Sequence, residues 1–387
     1  MKNYLRPLFT LKGDGVLWGV IIGLLMISLI MVYSATGTLA YLKTQNTASF
    51  LFKRVTLIGI CLSVMVIISN IHYKNFSKYS GIVLFFGILS MIALSIFGID
   101  VNGSKRWIPL FGFTIQPSEF VKIGLIMYTS RILSLYQEEK YCLDKGFKVI
   151  LIASGIVLGL IFWRDFSSSV LLGITIMLLS FVGRVRIGFI LKVVGGLLAA
   201  LVLFIAISFT TTLPTRIGTI QNRVLSYFGS NDNKKSNEIY EYQINQSKIA
   251  VATGGYIGKG PGNSLQRNFL PLPYSDFIFA VVVEEGGLAA GLFIIFLYLS
   301  LMYKAGRIVS GSKLVFPALL SFGLTLSIVL QAFVNIGVVL DVFPITGQPL
   351  PLVSMGGSSL LFTCISFGML LSVTHQMKLD ELEEVNK

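Results

Sequence analysis

Long apolar runs alternate with short polar joints along most of this chain. Ten stretches are long and apolar enough for membrane helices, at roughly 15 to 34, 55 to 70, 79 to 98, 118 to 134, 147 to 163, 168 to 183, 187 to 209, 276 to 303, 313 to 341 and 357 to 374. A bilayer core of about 30 Å takes about 20 helical residues. Continuous runs exclude a β-barrel, whose strands alternate with period two. The first run, Gly15 to Ser34, is too long for a signal-peptide core and leads into no small-residue cleavage site, so it is expected to persist as a helix. Ten spans leave both termini on one side. The expected fold is an all-α polytopic membrane protein, a single membrane domain over 1–387. One large loop, 210–275, lies between helices 7 and 8, and a polar tail covers 375–387.

Composition agrees with that pattern. The chain is 54% hydrophobic and 13% charged, with a mean hydropathy of +0.79, against about 45–50% apolar and 25% charged in soluble domains. Cys61 and Cys364 sit in apolar runs and Cys142 in a charged joint, so no disulfide framework or CxxC motif is formed. The net charge of +13 is not gathered into a basic patch interleaved with aromatics, which argues against nucleic acid. It is distributed as in membrane proteins. Short joints on the terminus side carry Lys2, Arg6, Lys12, Lys74, Lys78, Arg131, Lys140, Lys145, Lys148, Arg184, Arg186, Lys304, Arg307 and Lys313. The opposite short joints carry only Lys43, Lys53, Arg54, Lys105, Arg106 and Arg164. The positive-inside rule then places both termini in the cytoplasm and the large loop outside.

Loops as long as Thr210 to Ser275 are usually functional or disordered. Here the pattern predicts short amphipathic helices around Ser236 to Thr253, with Ile239, Tyr242 and Ile249 on one face. A mobile stretch is expected around Asn231 to Lys235. The run GGYIGKGPGNS, Gly254 to Ser264, follows no strand and lacks the GK[ST] ending of a phosphate loop. A tight reversal above the membrane is the expected structure there.

Ionisable residues at membrane depth cost at least about 2.5–3.5 kcal/mol each and need a partner or a task. Asp276 lies where the loop meets the eighth span, with Ser275 placed to cap the helix. Glu284 and Glu285 follow; on a straight helix they would lie about 12–14 Å further along, well inside the bilayer. In Gln116-Pro117-Ser118-Glu119-Phe120-Val121-Lys122, Ser118 can cap, and Glu119 and Lys122 share a face at i,i+3. Arg106-Trp107 precedes that segment, and Arg164-Asp165 opens the sixth span as a self-neutralising pair. Each has a plainer reading: Asp276 as a cap, Glu119 and Lys122 as a structural ion pair, Glu284 and Glu285 as helix-to-helix hydrogen bonders. Ser354 in SMGGSS has no visible base and reads as a turn residue. The two histidines, His72 and His375, fall in cytoplasmic segments, so no His-dependent triad or zinc site is expected outside.

A basic outer surface with a carboxylate at its floor suits an anionic lipid-linked substrate. The residues alone leave three readings open: an enzyme, a transporter flipping a lipid-linked precursor, and a scaffold that recruits a partner. Inverted repeats would favour transport, and the two halves show no convincing self-similarity.

NGSKRWIPLFGFTIQPSEFVKIGL, YQINQSKIAVATGGYIGKGPGNSLQRNFLPLPYSDFIFAVVVEEGG and NIGVVLDVFPITGQPLPLVSMGGSS, in that order on a ten-span layout, resemble the SEDS family (shape, elongation, division and sporulation) of bacterial peptidoglycan glycosyltransferases. GNS after the glycine turn and GQPLPLVSMGGSS are similar to its division-type members, with the elongation type as the alternative. The resemblance implies polymerisation of lipid II in the inner membrane, on the extracytoplasmic face. One chain's GlcNAc 4-hydroxyl displaces undecaprenyl pyrophosphate from another's MurNAc, with inversion. It implies Asp276 as general base, and Arg106, Glu119, Lys122, Lys259, Gln266 and Ser358 as substrate-binding residues, with Lys122 a partner for Asp276. It also implies a class B penicillin-binding protein transpeptidase and other divisome membrane proteins as partners. The leaving group's phosphate charge leaves room for an assisting Mg²⁺ or Mn²⁺. Departures from the family pattern are Trp163 to Ser169, which keeps only the acid, Tyr274-Ser275 before the Asp, and Glu284-Glu285-Gly286-Gly287.

Overall fold

The computed structural model describes residues 12–42, 47–101, 104–110, 113–137, 143–208, 234–270 and 274–385. Of the expected loop, residues 210–233 and 271–273 lie outside them. The helices are α1 (Gly15–Leu42), α2 (Thr47–Ser69), α3 (Tyr73–Phe97), α4 (Pro117–Gln137), α5 (Leu143–Phe162), α6 (Phe166–Val182), α7 (Ile187–Ser208), α8 (Lys234–Gly254), α9 (Ile278–Gly311), α10 (Val315–Val339) and α11 (Gly357–Val385). Each of the ten apolar stretches coincides with one of these helices. Seven, α1, α2, α3, α5, α9, α10 and α11, contain a window long and apolar enough to cross a membrane. α6 and the start of α7 are shorter apolar helices, and α4 carries Glu119, Lys122 and Arg131. α10 lies at the centre, against α9, α4 and α6, while α2 packs along α11 and α3 along α4.

The all-α expectation needs one correction. Between α3 and α4 the chain forms a small antiparallel sheet, β1 (Ile99–Val101), β2 (Ser104–Leu110) and β3 (Phe113–Ile115), in that order. Ile99 pairs with Trp107 and Ile108 with Ile115. The overlooked signal was Asn102-Gly103 between two short runs, the strongest short-range hairpin marker. The sheet marks one end of the bundle, called here the sheet end.

α1 starts at the opposite end. Asp14 caps it, accepting the Val16 N–H at 2.8 Å, and pairs with Lys304 near the end of α9. Burial alone would raise the Asp14 carboxyl, but Lys304, the Val16 amide and Lys378 outweigh it and hold the group below its ordinary 3.8. Because the folded value is the lower one, this stabilisation is complete above the ordinary aspartate range and disappears as pH falls through the folded value. Asp14→Asn is therefore expected to lower the unfolding temperature in detergent at pH 7 and to have little effect near pH 3. An equal loss at both pH values would contradict the charge pairing.

α9 does not run straight. At Gly287 the backbone leaves helical geometry (φ 71°, ψ −177°), and a Cβ placed on Gly291 would lie 2.9 Å from Val283 Cγ2 and 3.4 Å from Phe279 Cζ. Residues eight apart on a straight helix are about 12 Å apart, so the first segment folds back on the second. Contacts with α1 set its direction. Ser34 donates to Glu285, whereas Ser28 reaches, through Arg54 and Ser354, the carbonyl of Ser275. Ser34 is six residues, about 9 Å, nearer the sheet end than Ser28. Glu284 and Glu285 thus lie closer to the sheet end than Asp276 does. The expectation that they lie deeper is overturned, because it assumed one continuous helix.

A reversal inside a bundle strands the carbonyls of one segment and the amides of the next. The glycine turn after α8 satisfies both. Lys259 and Gly260 donate their N–H groups to Glu284 O (3.0 Å) and Glu285 O (2.9 Å), while Leu288 and Ala289 donate to Gly255 O (2.9 Å) and Tyr256 O (3.3 Å). Backbones meet too closely for side chains: a Cβ would lie 2.2 Å from Glu285 O at Gly258 and 2.3 Å from Tyr256 O at Gly287. Gly287→Ala, in a backbone region almost confined to glycine, is expected to cost at least about 2–3 kcal/mol, read as a lower midpoint in chemical unfolding. An unchanged midpoint would show that the reversal is not needed for stability.

α8 itself is one helix rather than several short ones. Its buried face is Ile244, Ser247 and Ala250, with Ser247 bonded to Val339 O at 3.1 Å. Tyr242 and Ile249 are exposed, and the Ile239 side chain lies outside the described residues. Of the stretch expected to be mobile, 231–233 lie outside the described residues, and Lys234 and Lys235 begin α8.

Candidate active site

Asp276 is half-buried, in a turn just before α9. Ser275 does not cap the helix, whose N-cap position is Phe277 with no side-chain bond. Its hydroxyl instead donates to Asp276 Oδ1 at 2.9 Å. Asn335 on α10 donates to Asp276 O (2.8 Å) and Gln348 O (2.7 Å), tying this turn to the buried segment that follows α10. That segment is held further by Gln331, which donates to Pro349 O at 2.9 Å, and by Tyr298, which donates to Pro351 O at 2.6 Å. Ser354 is a turn residue as expected: its hydroxyl accepts the Leu350 N–H and donates to Ser275 O at 2.7 Å. Gly347, at φ 69°, leaves room beside the acid, since a Cβ there would stand 3.6 Å from Asp276 Oδ2. Tyr274 is pushed above its ordinary pKa by burial and by the Asp276 charge.

Gln348 extends the network. Its amide nitrogen lies 2.9 Å from Ser168 Oγ and 3.4 Å from both carboxylate oxygens of Asp165. Asp165 caps α6 through the Ser168 N–H and pairs at 3.6 Å with Arg106, which also donates to Arg164 O at 3.0 Å. The expected Arg164–Asp165 pair is thus replaced. The sheet carries Arg106 over the start of α6, while Arg164 donates to Ser95 at 2.6 Å. A continuous polar path joins Arg106 to Asp276.

Glu119 and Lys122 form a buried ion pair at 2.7 Å, and Lys122 lies 3.5 Å from Gln331 Oε1. They line a small cavity of about 30 Å³ with Ser327, Thr363 and Ser366. Lys122 pairs with Glu119 and not with Asp276, because the two sit on one face of α4 at i,i+3. Ser118 is not the cap, since α4 starts at Pro117, in the first-turn position that suits proline. Lys259 is engaged by Glu284 at 2.6 Å and by Thr253, and Gln266 donates its N–H to Glu284. These two substrate candidates sit in the scaffold of the glycine turn, not beside Asp276. Ser358 is buried in the first turn of α11, and its hydroxyl has no partner. Among the described residues no three His, Cys, Asp or Glu side chains converge.

Asn335, Gln348 and Arg54 did not stand out in the sequence. Gln331 and Asn335, four apart within one apolar run, were the available signal. Arg54, expected in a short joint, is inside α2 and only 2% exposed.

The fold and site define a polytopic helical membrane protein with a carboxylate recessed behind a polar path. The chain belongs to the FtsW/RodA/SpoVE family of cell cycle proteins, which it matches over residues 15–379. It is 33% identical over 362 residues to a probable peptidoglycan glycosyltransferase FtsW of Coxiella burnetii, covering 92% of this chain and 94% of that one. Stage V sporulation protein E of Bacillus subtilis is 33% identical over 357 residues, covering 91% and 94%. The fold is shared with a chain of a peptidoglycan synthase complex solved for the structural coordination of polymerization and crosslinking (TM-score 0.75, 20% identity, covering 95% and 99%). It is also shared with the rod shape determining protein RodA of Thermus thermophilus (TM-score 0.67, 19% identity, covering 97% and 98%).

Proposed function

We propose that this chain is a peptidoglycan glycosyltransferase that polymerises lipid II into glycan strands during cell division. Asp276 is the general base, and the sheet end faces out of the cell. The half-buried Asp276 carboxylate carries this reading: Ser275 donates to it, Asn335 fixes the backbone carbonyl of the same residue, and Gly347 sets no side chain against it. There it takes the proton of an acceptor GlcNAc 4-hydroxyl as that oxygen attacks the donor MurNAc anomeric carbon and undecaprenyl pyrophosphate departs. Arg106, held by Asp165 at the far end of the polar path, supplies a cation for phosphate. Relatives named FtsW support division over elongation, and the likeness to a chain of a peptidoglycan synthase complex supports a class B penicillin-binding protein as partner. Lysines and arginines gathered at the opposite end support cytoplasmic termini.

The test is reconstitution with that partner in vesicles carrying lipid II. Glycan strands are the expected product. Movement of lipid II between leaflets without strands would replace the enzyme by a flippase, and neither activity from a folded, partner-bound protein would leave a scaffold.

A further inference from the structure

Tyr256 and Ile257, at the tip of the glycine turn, are 82% and 88% exposed, more than any other large apolar side chain among the described residues. Their height is fixed by the backbone. Leu288 and Ala289, which start the part of α9 beyond the reversal, donate to Gly255 O and Tyr256 O, so the tip lies level with the start of that part. From there Leu288, Leu292, Phe296, Leu299 and Tyr303 form one exposed apolar stripe at helical spacing. Tyr303 stands beside Lys304, which pairs with Asp14 at the cap of α1. A tyrosine at the end of an apolar stripe, next to a lysine, marks a membrane interface. Leu288 lies about 22 Å from it by helix rise, inside a hydrocarbon core of about 30 Å, and tilt only brings it deeper. That leaves the tip roughly 8 Å below the far boundary, within the depth of about 5–10 Å at which interfacial apolar residues sit.

Polarity around the tip fits that depth. Unpaired backbone groups are excluded from hydrocarbon, and here Gly258 N–H donates to Gly254 O, Lys259 and Gly260 N–H to Glu284 O and Glu285 O, while α9 takes Gly255 O and Tyr256 O. Charge is withdrawn too. No residue between Lys248 and Lys259 is charged, and Lys259 turns inward to Glu284 at 2.6 Å. We propose that Tyr256 and Ile257 are set into the acyl chains of the leaflet at the sheet end, so that the glycine turn is a lipid-embedded foot of the large loop and not a reversal above the membrane. Backbone bonds to α9 fix the foot, and its exposed apolar surface continues the stripe that α9 turns to lipid. The exposed charges of α8, Glu241 and Lys248, lie earlier along that helix. The inference depends on depth and polarity alone and stands apart from the glycosyltransferase reading.

The experiment attaches a nitrobenzoxadiazole fluorophore to the full chain at Ile257→Cys, with Cys142→Ser, in nanodiscs of phosphatidylcholine. Glu241→Cys, on the exposed face of α8, carries the same fluorophore as the reference. Lipid bearing a nitroxide near the head of its acyl chain is expected to quench the Ile257 probe at least about threefold more than the Glu241 probe, with aqueous iodide giving the opposite order, as for a side chain seated about 5–10 Å below the headgroups. Ile257 is so exposed that labelling disturbs little packing, and Tyr256→Cys repeats the measurement should the first variant fold poorly. Iodide quenching equal to that at Glu241, with no excess from the lipid nitroxide, would place the tip in water and overturn the proposal. Protection from both quenchers would show protein over the tip and overturn it as well, as would lipid quenching that vanishes when the transpeptidase partner is bound.

Discussion

Glu284→Ala is expected to destabilise the protein by about 3–5 kcal/mol, the range for removing one partner of a buried ion pair. The side chain is fully buried and accepts from four groups: Lys259 Nζ at 2.6 Å, the Ser264 hydroxyl, and the backbone N–H groups of Leu265 (3.1 Å) and Gln266 (3.2 Å). Alanine leaves both amides unsatisfied, at about 1–3 kcal/mol apiece when truly buried. Lys259 is partly exposed and can turn to water, which holds the total to the range given. The glycine turn would then lose its attachment to the reversal in α9. Glu284→Gln keeps the volume but sets an NH₂ against donors, so it is expected to lose most of the same stability. Chemical unfolding in detergent followed by helical circular dichroism measures both, and a loss under about 1 kcal/mol for the alanine variant would show that Glu284 is not the anchor of this turn.

Asp276→Asn is expected to slow strand synthesis by about 10²–10⁴, the contribution of a positioned general base. Shape is preserved: the amide can still accept from Ser275, and the Asn335 bond is to the backbone. Thermal unfolding and association with the transpeptidase partner should therefore stay near the parent values. Substrate affinity should change little, because in this account the diphosphate and sugars are held by other groups. The loss would fall on turnover alone.

Much of the bundle could be read from periodicity. Each apolar stretch formed a helix, and Asp276, Glu119 and Lys122 stood out as charges that such helices could not carry idly. The rest was hidden for physical reasons. Gly286-Gly287 breaks no apolar run, so nothing local announced that α9 reverses, and the depths of Glu284 and Glu285 followed the wrong axis. Arg54 looked like a joint residue because Lys53 stands beside it, whereas Ser28 on α1 and the Ser354 turn, both distant in sequence, take its hydrogen bonds. Asp165 was matched to its neighbour Arg164, whereas the sheet delivers Arg106 from the other side. Partners set by tertiary approach leave no trace in residue spacing, while partners at i,i+3 such as Glu119 and Lys122 do.

The most direct measurement pairs lipid II binding with glycan-strand synthesis on one preparation of the Asp276→Asn protein beside the parent, both bound to the transpeptidase partner. The account predicts comparable binding, and strands on the gel from the parent only. Strands of parental yield from the variant would show that another group accepts the proton.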